Sequence, residues 1–168
     1  MPELLNDNKS DDWVNPDKFR RTIGKFATGV AVVTSTHQGV HYGMTVSSLT
    51  SVSLDPCLLL ICPKLGSATG KAIRNSRRFV VNILELKQKE LCMRFVGENA
   101  KRFEGLSVKF SADGVPLLEG CIAYISCNVQ AVHPGGDHEI IVGEVNECLS
   151  HPGQPLIYHE GGLLNGFA

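Results

Sequence analysis

Apolar residues in this chain fall in short clusters, and their spacing changes from one cluster to the next. In "NPDKFRRTIGKFA" (15–27), Phe19, Ile23 and Phe26 recur at helical intervals. Asn15 supplies a cap, Pro16 suits the first turn and Asp17 complements the helix dipole. The pattern predicts a first helix that ends at Thr28-Gly29. "VAVVT" (30–34) is β-branched and predicts a strand, "HQG" (37–39) a turn, and a second strand opens near Val40. "SSLTSVSL" (47–54) reads as a short extended segment broken by Asp55-Pro56. "CLLLIC" (57–62) is apolar on both faces, which predicts a central strand or barrel wall.

Farther on, "SATGKAIRNS" (67–76) predicts a short helix capped by Ser67, and "FVVNIL" (79–84) a strand. "LKQKELCMRFV" (86–96) predicts a helix that buries Leu91, Cys92 and Phe95. Two long extended segments, 121–132 and 139–149, are separated by Gly135-Gly136 and predict a hairpin with a wide turn. Strands outnumber helices about two to one on this reading. Neither a strand–helix–strand rhythm nor a G-x-G-x-x-G fingerprint is present, so a Rossmann domain is disfavoured. A mainly β fold with flanking helices, a closed or partly closed antiparallel barrel, accounts for the pattern best.

Composition narrows the function classes. The 168 residues suit one domain; 43% are hydrophobic and 20% charged, and the formal net charge of −1 offers no global basic field for nucleic acid or an anionic membrane. No apolar run reaches the roughly 18 residues that span a bilayer. The start, "MPELLNDNKSDDWV", is polar and acidic, lacks the marks of a signal peptide, and predicts a disordered segment over 1–14 before a domain over 15–168. The expected setting is cytoplasmic. Six cysteines (57, 62, 92, 121, 127, 148) form no C-x-x-C pair and are read as buried reduced thiols. Six histidines show no metal-ligand spacing, so no metal is expected.

Four segments can carry chemistry. "GMTVSSLTSVSLDP" (43–56) places six hydroxyl residues in the eleven positions from Thr45 to Asp55. Ser47 and Ser48 are adjacent, so either they face opposite ways or the strand bends there. The segment is an edge strand with a polar face, or a rim that offers hydroxyls and backbone N–H groups to a planar polar ligand. "CPKLGSATGKA" (62–72) fails the P-loop pattern, since three residues separate its glycines and Ala72 follows Lys71. Ser67 and Thr69 at a helix start still make a seat for one phosphate, although capping alone explains Ser67. "ENAKRFEG" (98–105) is a solvated turn, or a loop whose cation holds a phosphate while Phe103 covers a ring. "GGDHEIIVGEV" (135–145) puts His138 at the mouth of a strand, as a surface residue or as a ligand-facing donor.

Together these segments resemble the short-chain flavin reductase family, with its FMN-binding split barrel. The likeness runs in order through "FRRTIGKFATGVAVVT" (19–34), "GMTVSSLTSVSLDPCLLLIC", "FVVNIL", "GDHEIIVGEV" and "PLIYHEGGL" (155–163), nearly the whole chain after residue 15. The resemblance implies a homodimeric, six-stranded antiparallel Greek-key split barrel that reduces FMN or FAD with NADH or NADPH. It also implies a partner monooxygenase that receives the reduced flavin. Carried over by motif, Thr28, Thr45, Val46, Ser47 and Ser48 would face the isoalloxazine, and Cys62, Ser67 and Thr69 the ribityl-phosphate side. Lys101 and Phe103 match a K-x-F anchor, His138 would stand beside the nicotinamide, and Tyr158 and Gly161 near the pyridine nucleotide. The expected reaction is direct hydride transfer, with His138 orienting the nicotinamide. Where the family often has Pro-Pro, this chain has Asp55-Pro56-Cys57, with Cys57 expected to pack; "YHEGGLLNGF" is less regular than the family's ending. Two rivals fit the same residues: a barrel that keeps FMN tightly bound and passes electrons to another acceptor, and a non-catalytic flavin- or ligand-binding barrel.

Overall fold

A computed structural model of the chain describes residues 14–97 and 101–166. The segment expected to be disordered, 1–14, lies outside the described residues except for Val14, which is exposed. Among the described residues the order is α1 (Pro16–Ile23), β1 (Thr28–Gly29), β2 (Ala31–His37), β3 (Val40–Val46), β4 (Thr50–Leu54), β5 (Cys57–Ile61), α2 (Ala68–Ser76) and β6 (Arg78–Ile83). Then come α3 (Lys89–Arg94), β7 (Val108–Phe110), β8 (Pro116–Leu118), β9 (Ala123–Gly135), β10 (His138–Ser150), β11 (Ile157–His159) and β12 (Gly162–Leu163). No described helix is long and apolar enough to cross a membrane. Twelve strands to three helices is twice the expected ratio. Five of those strands have only two or three residues, too short to carry a periodic signal, and exist because distant segments pair with them.

The main sheet has seven antiparallel strands, one more than expected, in the order β3-β2-β6-β9-β10-β5-β4. Its two edges, β3 and β4, are consecutive in the chain, and only Ser47–Leu49 separate Val46 from Thr50. Four extended residues reach roughly 14 Å. A flat sheet of this order would hold those edges about 29 Å apart, at about 4.8 Å per strand. The sheet therefore curls until its edges approach, and the segment 47–49 spans the split.

Curling creates an inside and an outside, and β2 is buried on both. Ala31 and Val33 join Ile61, Phe79, Val81, Ile141 and Ile73 of α2 inside. Val30 and Val32 pack outside under Cys92 and Phe95, with Leu118, Leu84 and Leu156. Asn82, fully buried, donates to Val32 O and Thr34 Oγ1 and accepts from the Leu118 N–H at 2.8 Å, which ties the β7–β8 hairpin to the barrel. Phe79 occupies space that only a glycine leaves open: a Cβ at Gly143 would lie 2.5 Å from its Cζ.

Several expectations change. Segment 57–62 does lie inside the sheet, between β10 and β4, but Cys57 is exposed and its Sγ sits 3.3 Å from Leu54 O. Cys148 is exposed as well, so four of the six thiols, not all, are at least partly buried. The hairpin turn is tight, not wide: Gly135 pairs with His138 across Gly136 and Asp137, with Gly136 at φ +73°. The first helix forms with its Asn15 cap, but Phe19, Ile23 and Phe26 are 59%, 52% and 71% exposed. Its apolar face has no cover among the described residues.

Candidate active site

The bend at Ser47–Leu49, forced by the curl, forms one wall of a cleft of about 1170 Å³. Val46, Ser47 and Ser48 line that wall. The choice left open for the adjacent serines thus resolves as a bend, with Ser47 exposed and Ser48 half-buried. Ser48 Oγ accepts from the Cys62 N–H at 3.1 Å and donates back to Cys62 O at 3.5 Å, so the bend is pinned to the end of β5.

Cys62, Ser67 and Thr69 form the next wall. Ser67 caps α2, its Oγ accepting from the Gly70 N–H at 3.1 Å. A Cβ at Gly70 would lie 2.7 Å from that oxygen, so glycine leaves the space the cap occupies. The cleft therefore carries a helix N-terminus with its partial positive charge. Burial pushes the Cys62 thiol up, so it presents an S–H and not a thiolate at neutral pH.

His138 lines the opposite side, at the first position of β10. Its Nδ1 lies 2.8 Å from Asp137 Oδ1. The hydrogen bond from His138, with the nearby Lys64 charge contributing less, holds the Asp137 carboxyl below the usual carboxylate range. An ionised carboxylate only accepts, so Nδ1 carries the proton and the neutral ring presents Nε2 as an acceptor.

The remaining expected residues divide. Tyr158 and Gly161 line a smaller hollow of about 510 Å³ that shares Thr45, Val46 and Ser47 with the cleft. The two spaces are thus joined across the end of β3. Thr28 lines neither; it pairs in register with Tyr158, and its buried Oγ1 has no hydrogen-bond partner among the described residues. The Thr45 hydroxyl donates to Cys92 O at 2.6 Å and the Thr45 N–H to Phe95 O at 3.1 Å, so both tether the end of α3. Phe103 does not reach over the cleft. It packs edge-on against Phe95 at 5.1 Å and beside His41 at 5.9 Å, close to Gly43. Lys101 lines neither space and pairs with Glu104; residues 98–100 of its segment lie outside the described residues.

Arg102, the other cation of the 98–105 segment and not the one matched to the K-x-F anchor, lines the cleft, with its guanidinium donating to Gly43 O and Gly97 O. Its adjacency to Lys101 and Phe103 was a signal, but which of two neighbouring cations turns inward depends on the backbone path. Lys64 lines the cleft too, in an isolated β-bridge with His138. A separate hollow of about 570 Å³, walled by Phe110, Tyr124, Leu149 and His151, contains none of the expected residues.

A profile of the flavin reductase like domain matches residues 23–166. The reductase subunit HsaB of a flavin-dependent monooxygenase from Mycobacterium tuberculosis is 38% identical over 88% of this chain and 81% of its own. The FMN reductase (NADH) SmoA of Agrobacterium fabrum is 39% identical over 92% of this chain and 87% of its own. Among solved structures, the NADH:FAD oxidoreductase SgcE6 of Streptomyces globisporus superposes with a TM-score of 0.87 at 30% identity, covering 97% of this chain and 99% of that one. The nitrilotriacetate monooxygenase component B homologue from Mycobacterium thermoresistibile superposes at 0.85 with 38% identity, covering 88% and 84%.

Proposed function

The chain belongs to the flavin reductase-like family, and from that premise we propose that its cleft seats a flavin while the adjoining hollow admits the reduced nicotinamide. It is an NAD(P)H-dependent flavin reductase, and relatives such as HsaB are reductase components that serve a monooxygenase. The observation that carries the site reading is the meeting of Ser48, Cys62, Ser67, Thr69 and His138, from three separate sequence segments, around one space.

The donor set fits a flavin mononucleotide portion. The cleft is somewhat larger than a common small-molecule site. The N-terminus of α2 suits a phosphate, and the bend offers polar groups to a ring edge. When bound, nicotinamide and flavin supply the hydride donor and acceptor between them. The chain's own residues bind and aim. Backbone N–H groups at the bend would hold negative charge on a bound ring. His138, its proton fixed on Nδ1 by Asp137, offers Nε2 to a carboxamide N–H. With Cys62 held as a thiol, that cysteine is not a nucleophile here.

FMN and FAD both suit the reading, as do NADH and NADPH. The proposed assembly is a homodimer that covers the bare face of α1, where Phe19 and Ile23 border the cleft, and a flavin-dependent monooxygenase takes the product. Residues 15–168 act as one split-barrel domain. A cytoplasmic setting suits six cysteines with no disulfide among them.

The test follows NADH loss with trace and with saturating flavin. Turnover that depends on added flavin supports a reductase that releases its product. Consumption by a yellow protein without added flavin favours a bound prosthetic group, and no consumption with no flavin binding overturns both.

A further inference from the structure

The start of β10 overhangs its sheet. β5 pairs with β10 only from Ile141 to Glu144, so His138 and Glu139 have β9 on one side and no sheet strand on the other. The loop after β5 fills that side through the Leu65 N–H to Asp137 O at 3.0 Å, the Glu139 N–H to Pro63 O at 2.9 Å, and the Lys64–His138 bridge. Side chains alternate along the strand: His138 and Ile140 line the cleft, and Glu139 turns the other way. There its carboxylate pairs with Arg74, in the last turn of α2. Glu139 is largely buried, at 12% exposure, and Arg74 half-buried, at 34%. The other carboxylate oxygen, Oε2, is closed to solvent and has no hydrogen-bond partner among the described residues. Arg74 therefore carries the carboxylate's side-chain pairing.

The helix that Arg74 belongs to begins at Ser67, the proposed phosphate seat. Resting on that reading of the cleft, we propose that Arg74 and Glu139 are positioning residues that hold His138 at a set distance from the flavin. Neither touches the ligand. α2 is anchored independently, with Ala72 and Ile73 buried in the core, so loss of the pair leaves the helix in place and lets the mouth of β10 shift within its backbone bonds to β9 and the loop after β5. The step affected is the aiming of the nicotinamide, for which a displacement of ~1 Å costs as much as ~10²-fold.

The test measures kcat and KM for NADH, and flavin affinity by fluorescence quenching, in Glu139→Ala, Arg74→Lys, His138→Ala and the double variant H138A/E139A. For E139A the expected result is a fall in kcat of about tenfold or more with flavin affinity unchanged. R74K, which retains the charge, keeps part of the rate. H138A/E139A is no slower than H138A, because Glu139 acts through His138. An unchanged kcat in E139A overturns the proposal, as does an additive loss in the double variant or a flavin affinity that falls with kcat. If E139A does not fold, Glu139→Gln and its double with H138A decide by the same criteria. Wild-type turnover in H138A is a different failure: it removes the reading of the site and shows before Glu139 is changed.

Discussion

Ser48 and Cys62 hold each other through three groups: the Cys62 N–H donates to Ser48 Oγ at 3.1 Å, and that hydroxyl reaches Cys62 O at 3.5 Å. One side chain thus ties the bend after β3 to the end of β5. Ser48→Ala leaves the Cys62 N–H without its partner, for a loss of about 1 kcal/mol in stability. The bend then loosens, and flavin affinity falls by roughly fivefold to tenfold, the equivalent of ~1–1.4 kcal/mol. Urea unfolding and flavin fluorescence titration read the two effects.

Thr45 reads differently from its serine neighbours. Its hydroxyl is given to Cys92 O at 2.6 Å, so it serves the end of α3. Thr45→Val removes that bond and costs about 1 kcal/mol, while flavin affinity holds. Thr45→Ser restores the stability. Loss of flavin affinity in T45V with an unchanged melting temperature would place the hydroxyl on the ligand instead.

Asp137 sets the tautomer of His138 from an exposed position, so its effect is modest. Asp137→Ala is expected to lower kcat by about two- to fivefold at neutral pH, with flavin binding retained. Pairing lowers the Asp137 carboxyl, so the contribution is present above the ordinary aspartate pKa and is lost as pH falls through the lowered value. Wild type and D137A therefore converge in acid, below about pH 4. Stability and rate measured as a function of pH check the sign.

Phe19 and Ile23 stand more than half exposed on α1. Phe19→Glu with Ile23→Glu places charge on a face that a second copy is proposed to cover. The expected result is a shift from the mass of two chains to one by light scattering, with the fold intact by circular dichroism. A variant that remains dimeric removes α1 from the interface.

The six thiols separate by position. Cys57 and Cys148 are exposed and should react quickly with a thiol reagent, and unfolding should release the rest. Burial pushes Cys121 and Cys127 up to about 12. In the unfolded chain these thiols ionise near pH 8.5, so native stability is full below that value and declines as pH rises toward 12. Cys127→Ala loses packing at pH 7 but flattens the alkaline limb of the unfolding curve.

Local physics made much of this protein legible in its sequence. Asn15-Pro16 started a helix, Ser67 capped another, and the β-branched run from Val30 placed β2, because caps and periodicity act within a few residues. Five segments in register carried the family, and adjacent serines at 47 and 48 already demanded a bend or a split of faces. Tertiary structure decided what depends on where distant segments meet. The short strands β1, β11 and β12 exist only through one another. Arg102 and not Lys101 lines the cleft, Phe103 turns onto Phe95, and the Thr45 hydroxyl goes to Cys92. Side-chain direction and hydrogen-bond choice are settled by partners far away in the chain, and those partners arrive only when the sheet has curled.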